Sequence, residues 1–274
     1  MTLPTLTFGV VPFKQDNGAR LLLNDFCARL GDAIGHVVHP HRAPSPEALA
    51  AAVSAGRVHV AWLSPTLLAT SKLADLVVPL ASSIREGSAQ YHAALFARDD
   101  SPIKAAEDLA RKRVAWVAPS SASGYIYPRL ALARRGLDPR TLFASEGFHQ
   151  SHGAVAAAVS EGRADVGATF VSFENGDPSR PVARAGFREL EGASPARIVL
   201  MAGPIPADVI VALRSFNPQF RANLLRALKV LAAGEATSAS VQSIFGVRTF
   251  AAHSENALAT LHQMIKSARD MGLL

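Results

Sequence analysis

Apolar positions along the chain fall into short continuous runs that alternate with stretches of helical spacing. Leu6 to Val11 (LTFGVV) is an apolar run closed by Pro12 and predicts a buried strand. Residues 19–30 (ARLLLNDFCARL) carry apolar side chains three and four apart and end before Gly31, which predicts a helix; His36 to Val38 opens a second strand. Pro44, Ser45 and Pro46 start a helix that runs through Val53, with Gly56 beyond it. Val58 to Leu63 (VHVAWL) is a third strand, and it feeds Ser64-Pro65, with serine at the helix cap and proline at the first helical position. Tyr91 to Arg98 (YHAALFAR) is again a strand, followed by DDSPIKAAEDLARKR, in which Ser101-Pro102 initiates a turn and the next helix. Val114 to Val117 is a strand stopped by Pro119. Ile198 to Ala202 with Gly203-Pro204-Ile205-Pro206 reads as a return crossing, and helices follow around Ala222 to Ala233 and Ser254 to Met271. This alternation indicates an α/β fold with largely parallel sheets.

One pattern recurs. Residues 50–60 read AAAVSAGRVHV and residues 156–166 read AAAVSEGRADV, so AAAVSxGRxxV returns 106 residues later, each time as helix, glycine-arginine turn and strand. Each copy leads to a possible binding loop, Leu63-Ser64 and Thr169-Phe170. Two lobes of similar build are the simplest account, joined by the Tyr91 strand and the return crossing. Residues 1–91 with 203–274 form the first lobe and residues 92–202 the second. Ligands of open parallel sheets bind outside the carboxyl ends of the strands, so a ligand is expected between two such lobes.

Chemistry concentrates in Val114 to Gly136 (VAWVAPSSASGYIYPRLALARRG), read as strand, serine-rich turn and helix. The first turn of a helix leaves backbone N–H groups without partners at the positive end of the helix dipole. Ser120, Ser121 and Ser123 add hydroxyl donors there, and Gly124 lets the backbone approach a ligand closely, so an anion could be held without a metal. The competing reading is that one of these serines simply caps the helix.

Composition narrows the function classes. With 274 residues and 49% hydrophobic content the chain can bury sizeable cores. The net charge of +6 permits attraction to anions, but the basic residues never form a run of five and aromatics are only 7%, which argues against a nucleic-acid partner. Cys27 is the only cysteine, so an internal disulfide and a cysteine-based zinc site are excluded, and its apolar setting marks it as a core residue. No apolar run is long enough to span a membrane, so no membrane insertion is expected. MTLPTLTFG lacks the features of a secretory leader. As written the chain would stay in the cytoplasm, and a leader removed with Met1 restored would leave the same text.

On FGVVP, VHVAWLSP, the tyrosine before DDSPIKAAEDL, SSASGYIYP, SHGAVAAAVSEGRADVGA and PIPADVIV, the chain resembles the phosphate, phosphite and phosphonate substrate-binding proteins of ABC transporters, of the type 2 periplasmic binding protein family. The resemblance spans nearly the whole length. It implies two α/β lobes joined by two hinge strands and closing over a small oxyanion, an ABC permease as partner, a periplasmic location and no catalysis. It also implies site residues: Ser121 and Ser123 match hydroxyls that bind phosphonate oxygens, with the backbone N–H groups from Ala122 to Gly124 completing the cradle. Tyr91 and His152 match residues that reach the same oxygens, Ser64 lies in the first binding loop, and Asp208 matches an aspartate that binds the amino group of aminoalkylphosphonates. Ala122 stands where the family commonly has threonine, and Leu63 where aminoalkylphosphonate binders have a second tyrosine. The second amine-binding acid has no sure counterpart, Ser172 and Glu174 both being available. We expect a monomer that needs neither cofactor nor metal.

Local readings compete at each position. Tyr91 could be an edge-strand tyrosine, His152 a cap at Gly153, and Asp208 a cap of a helix beginning near Val209. The histidines of HVVHPH (His36, His39 and His41) and of FHQSH (His149 and His152) come without the carboxylates or HExxH spacing of a metal site, and solvated loop positions suit the first set. No nucleophile elbow or nucleotide-binding glycine loop is present. The rivals are a cytoplasmic enzyme of the same architecture, of the menaquinone-pathway type, and a non-transport sensor in which ligand-driven closure is read by a partner protein.

Overall fold

A computed structural model describes residues 3–11 and 17–273. In chain order its regular elements are β1 (Thr5–Val10), α1 (Asn17–Ile34), β2 (Val37–Arg42), α2 (Pro46–Ser54), β3 (Val60–Leu63), α3 (Pro65–Thr70), β4 (Val77–Ile84) and β5 (Gln90–Arg98). There follow β6 (Arg113–Trp116), α4 (Tyr127–Arg134), β7 (Ser145–Phe148), α5 (His152–Ser160), β8 (Val166–Phe173), β9 (Val182–Ala185) and β10 (Ala196–Pro206). The last are β11 (Val209–Leu213), α6 (Pro218–Ala233), α7 (Glu235–Phe245), β12 (Thr249–Ala252) and α8 (Glu255–Asp270). Pro12, expected to close the first strand, lies outside the described residues. The chain divides into two compact units, Met1–Arg85 with Ala207–Leu258, and Glu86–Pro206 with Ala259–Leu274.

The sheet of the first unit runs β12-β4-β11-β3-β1-β2. β1 lies parallel to β2 and β3, whereas β11 is antiparallel to β3 and β4, and β12 to β4. On one face Phe8, Phe26, Phe245 and Phe250 meet edge to face, and Trp62 joins them through Phe245. Such pairs each add about 1 kcal/mol beyond the area they bury. Cys27 belongs to this core, as expected, at 1% exposure. The α1 helix continues past Gly31 to Ile34, and Gly35 with φ 69° ends it. Gly31 serves packing instead: a Cβ there would come within 2.5 Å of the His36 carbonyl oxygen.

The second unit carries a sheet in the order β10-β5-β8-β6-β7, with β9 added on β8. β6 is parallel to β7 and β8, while β5 is antiparallel to both β8 and β10. Both sheets are therefore mixed, with parallel pairing confined to three strands in each. A parallel neighbour requires a crossover connection, and the strands that return by other routes enter antiparallel. The helix expected after Ser101-Pro102 is reduced to one 3₁₀ turn, Ala106–Leu109. Asp108 folds back to accept the Lys104 and Ala105 N–H groups at 2.8 and 3.0 Å, and Arg111 at φ 58° turns the chain out of any helix.

The sequence echo is a structural one. Ser45 and Ser151 cap α2 and α5 by accepting the Ala48 and Ala154 N–H groups, both at 3.1 Å. Gly56 at φ 68° and Gly162 at φ 71° end the two turns. Arg57 N–H donates to Ala52 O, and Arg163 N–H to Ala158 O. Val60 then pairs in parallel with Phe8, and Val166 with Val114, so the 106-residue offset holds for the preceding strands as well.

Candidate functional site

The serine turn leaves the carboxyl end of β6. Val117 N–H donates to Gly124 O at 3.1 Å, and Ala122–Ile126 forms a wide turn with the spacing of a π-helix before α4 begins. Ser121 is its cap, with Oγ accepting the Gly124 N–H at 3.0 Å. The capping reading is thus realised at Ser121, but it does not exhaust the residue. A serine hydroxyl has one proton and two lone pairs; a lone pair is used here, and the proton remains to be donated. The Ala122 and Ser123 N–H groups stand in the first turn, where a helix offers no internal partner. Ser123 is 3% exposed and Ala122 8%. Gly124 could carry no side chain, because a Cβ would lie 2.4 Å from Val117 Cγ2 and 2.7 Å from Ser121 Oγ.

The loop before α5 runs along the same strand end. His149 N–H donates to Trp116 O at 2.9 Å and Gln150 N–H to Val117 O at 2.8 Å, which delivers the N-terminus of α5 beside the serine turn. Ser151 is the cap of α5, and His152 is its first residue rather than the cap. His152 Nδ1 lies 3.1 Å from Thr169 Oγ1 of β8, and its ring meets Phe170 edge on at 5.0 Å. Desolvation pushes its pKa down to about 4, so the imidazole is neutral near pH 7. Tyr91 is half-buried at the start of β5, opposite Ile205 of β10. Because β5 is antiparallel to β8, with His92 paired to Val171, this end of β5 meets the carboxyl end of β8. Ser121, Ala122, Ser123, Gly124 and His152 therefore follow the carboxyl ends of β6 and β7, and Tyr91 lies within β5 alongside the last residues of β8, at the same edge of the second unit's sheet.

Ser64 and Asp208 belong to the first unit. Ser64 is exposed and caps α3, accepting the Leu67 N–H at 3.2 Å. Asp208 precedes a strand, β11, and not the helix expected near Val209; Val209 pairs with Leu63, which sets Asp208 at the carboxyl end of β3. Its carboxylate is 2.9 Å from Arg85 Nη2, and Arg85 also donates to the carbonyls of Phe245 and Gly246. No short motif marks Arg85, and the sequence reading missed it. Leu63 is buried at 2% exposure, Ser172 is buried within β8, and Glu174 is exposed.

Beneath the serine turn a polar cluster fixes α4 to the sheet. Glu146 Oε2 accepts from Trp116 Nε1 at 2.6 Å and from Arg129 Nη1 at 2.7 Å, and Arg129 stacks over Tyr125 at 4.9 Å. His39 and His41 lie in β2 and not in a loop. Among the described residues no group of three or more His, Cys, Asp or Glu is placed to hold a metal ion, and no helix is long and apolar enough to cross a membrane.

Solved structures share the fold, among them the following three. The protein XAC2383 of Xanthomonas citri, bound to ATP, is 21% identical over 97% of this chain and 98% of its own, with a TM-score of 0.76. A binding protein component of an ABC phosphonate transporter from Pseudomonas aeruginosa is 18% identical over 98% and 88%, with a TM-score of 0.72. PhnD1 of Prochlorococcus marinus, in complex with methylphosphonate, is 15% identical over 98% and 99%, with a TM-score of 0.71. The α/β fold read from the sequence is thus that of the type 2 periplasmic binding proteins. The model of a family described as ABC transporter, phosphonate, periplasmic substrate-binding protein matches residues 8–258, and the chain belongs to that family.

Proposed function

We propose that the protein captures a phosphonate or closely related oxyanion in the periplasm and delivers it, as a monomer and without catalysis, to an ABC permease. The observation that carries this reading is the Ser121 cap: by accepting the Gly124 N–H at 3.0 Å, the hydroxyl keeps its proton for an outside acceptor. The Ala122 and Ser123 N–H groups, the Ser123 hydroxyl, the neutral His152 and the Tyr91 hydroxyl complete a set made of donors. Such a set suits an anion with several equivalent oxygens and needs no metal. Ser64 on the first unit retains a donor proton by the same logic, and Ser64→Ala tests whether the ligand draws on it.

The organic end of the ligand carries no ammonium group in this reading. Asp208, the residue that would face an amine, is already paired with Arg85 at 2.9 Å. Calorimetric titration with methylphosphonate, 2-aminoethylphosphonate, phosphite, phosphate, sulfate and ATP tests the proposal; ATP is included because XAC2383 was solved with it. Methylphosphonate or phosphite is expected to bind in the micromolar range or tighter, about 8 kcal/mol or more. Binding of none of the oxyanions would overturn it and favour an enzyme of this architecture. Tightest binding of 2-aminoethylphosphonate would remove the inference about Asp208.

A further inference from the structure

Thr169 lies in the middle of β8 with no exposed surface, and the one hydrogen-bonding partner of its hydroxyl among the described residues is His152 Nδ1, at 3.1 Å. A hydroxyl buried this completely must place its proton on an acceptor, since an unmet buried donor costs about 1–3 kcal/mol. If His152 donated from Nδ1, the Thr169 proton would have no acceptor. If Thr169 donates, one bond satisfies both groups, and the imidazole proton is forced onto Nε2. Gly186 covers one side of this arrangement: a Cβ there would come 2.1 Å from Thr169 Oγ1 and 3.1 Å from His152 Cβ, so the backbone after β9 lies directly against the pair.

We propose that Thr169 is a positioning residue that locks His152 in the Nε2–H tautomer, converting a histidine that could accept or donate into a fixed donor at the oxyanion edge. The inference rests on the proposed function for what the Nε2–H meets, but the tautomer is a property of the unliganded protein. The charged groups around the pair leave the assignment undisturbed. Arg184 of β9 stacks over Phe170 at 5.5 Å and is paired with Glu189, Arg188 lies over Phe187 and donates to Val182 O, and the first turn of α5 holds no acidic residue. Burial keeps the ring neutral, so the choice is between two neutral tautomers and not between neutral and cationic forms.

The experiment is ¹⁵N–¹H correlation of the histidine ring nitrogens in the ligand-free full chain at pH 7, with His152 assigned through His152→Gln. Calorimetry with methylphosphonate is run alongside on the wild type, Thr169→Val and Thr169→Ser. Expected are a protonated Nε2 in the wild type, a mixture of tautomers in Thr169→Val with affinity reduced about tenfold, and both properties restored to within about threefold by Thr169→Ser. Thermal melts by circular dichroism establish that the isosteric Thr169→Val folds. A protonated Nδ1 in the wild type overturns the proposal, as does a Thr169→Val protein that keeps the Nε2–H pattern and wild-type affinity. If the wild type binds no oxyanion, the proposed function fails, while the ring spectra still decide the role of Thr169.

Discussion

Arg85 Nη2 and the Asp208 carboxylate stand 2.9 Å apart although 123 residues separate them, and Arg85 additionally ties down the carbonyls of Phe245 and Gly246 at the end of α7. Both side chains are partly buried, at 20% and 27% exposure, so each would be poorly solvated without the other. Asp208→Asn is expected to lower stability by about 1–2 kcal/mol in urea unfolding, since the Arg85 charge retains its two carbonyl acceptors. Methylphosphonate affinity should stay within about twofold. A loss of affinity much larger than that would return Asp208 to the ligand shell.

Ser123→Phe is expected to abolish binding of methylphosphonate while the protein still unfolds cooperatively. The residue is 3% exposed in the first turn after the Ser121 cap, and a phenyl ring would fill the space before the free N–H groups. Gly124→Ala acts on the backbone instead. With Val117 Cγ2 at 2.4 Å from the new Cβ, the turn must shift, at a cost of about 1–3 kcal/mol and with loss of binding.

The folded pKa of His152 is about 4 against an ordinary value of 6.5, so between these limits the unfolded chain takes up a proton that the folded ring refuses. Stability therefore falls as pH drops from 6.5 towards 4. His92, lowered by burial, contributes in the same direction. The carboxylates held low by hydrogen bonds, Asp108, Asp138, Asp165 and Asp177, act only below the ordinary carboxyl value of 3.8. Urea unfolding at pH 7 and pH 5 should show a smaller difference for His152→Gln than for the wild type; an equal difference would disprove the assignment.

Glu146→Leu removes the shared acceptor of Trp116 and Arg129, leaving a guanidinium at 6% exposure without its counter-charge. The expected loss is about 3 kcal/mol, accompanied by a change in Trp116 fluorescence. Glu146→Gln, which keeps an acceptor oxygen, should lose less.

Cys27 sits in the aromatic core of the first unit, and burial pushes its thiol up to about 12. It should not react with a thiol reagent such as iodoacetamide in the native state and should react fully in urea. Rapid native labelling would show that this core opens.

The legible parts of the fold are those written in local code. Ser45 at the first helix start and Gly56 and Gly162, each with positive φ, specify helix, turn and strand within about fifteen residues, and the structure repeats the two turns bond for bond, although the second helix is capped by Ser151 and not by His152. The Ser64-Pro65 helix start was legible for the same reason. Strands such as β4 and β12 were not, because β4 contains Pro79 and β12 has only four residues, and both are defined by antiparallel partners elsewhere in the chain. At equivalent points of the repeat the backbone can agree while the chemistry differs: Thr7 N–H donates to His59 Nδ1, and Arg113 N–H donates to Asp165 Oδ2.

Much of the succession of strands and helices, the repeated segment and the family could be read along the chain, because caps, positive-φ glycines and apolar periodicity act over a few residues. The roles of several polar side chains are instead set by contacts distant along the chain. Asp208 meets Arg85 across 123 residues, Glu146 gathers Trp116 and Arg129, and His152 takes its orientation from Thr169. Hydrogen-bond satisfaction in a buried site depends on which strands lie side by side, and sheet register, not spacing along the chain, sets that.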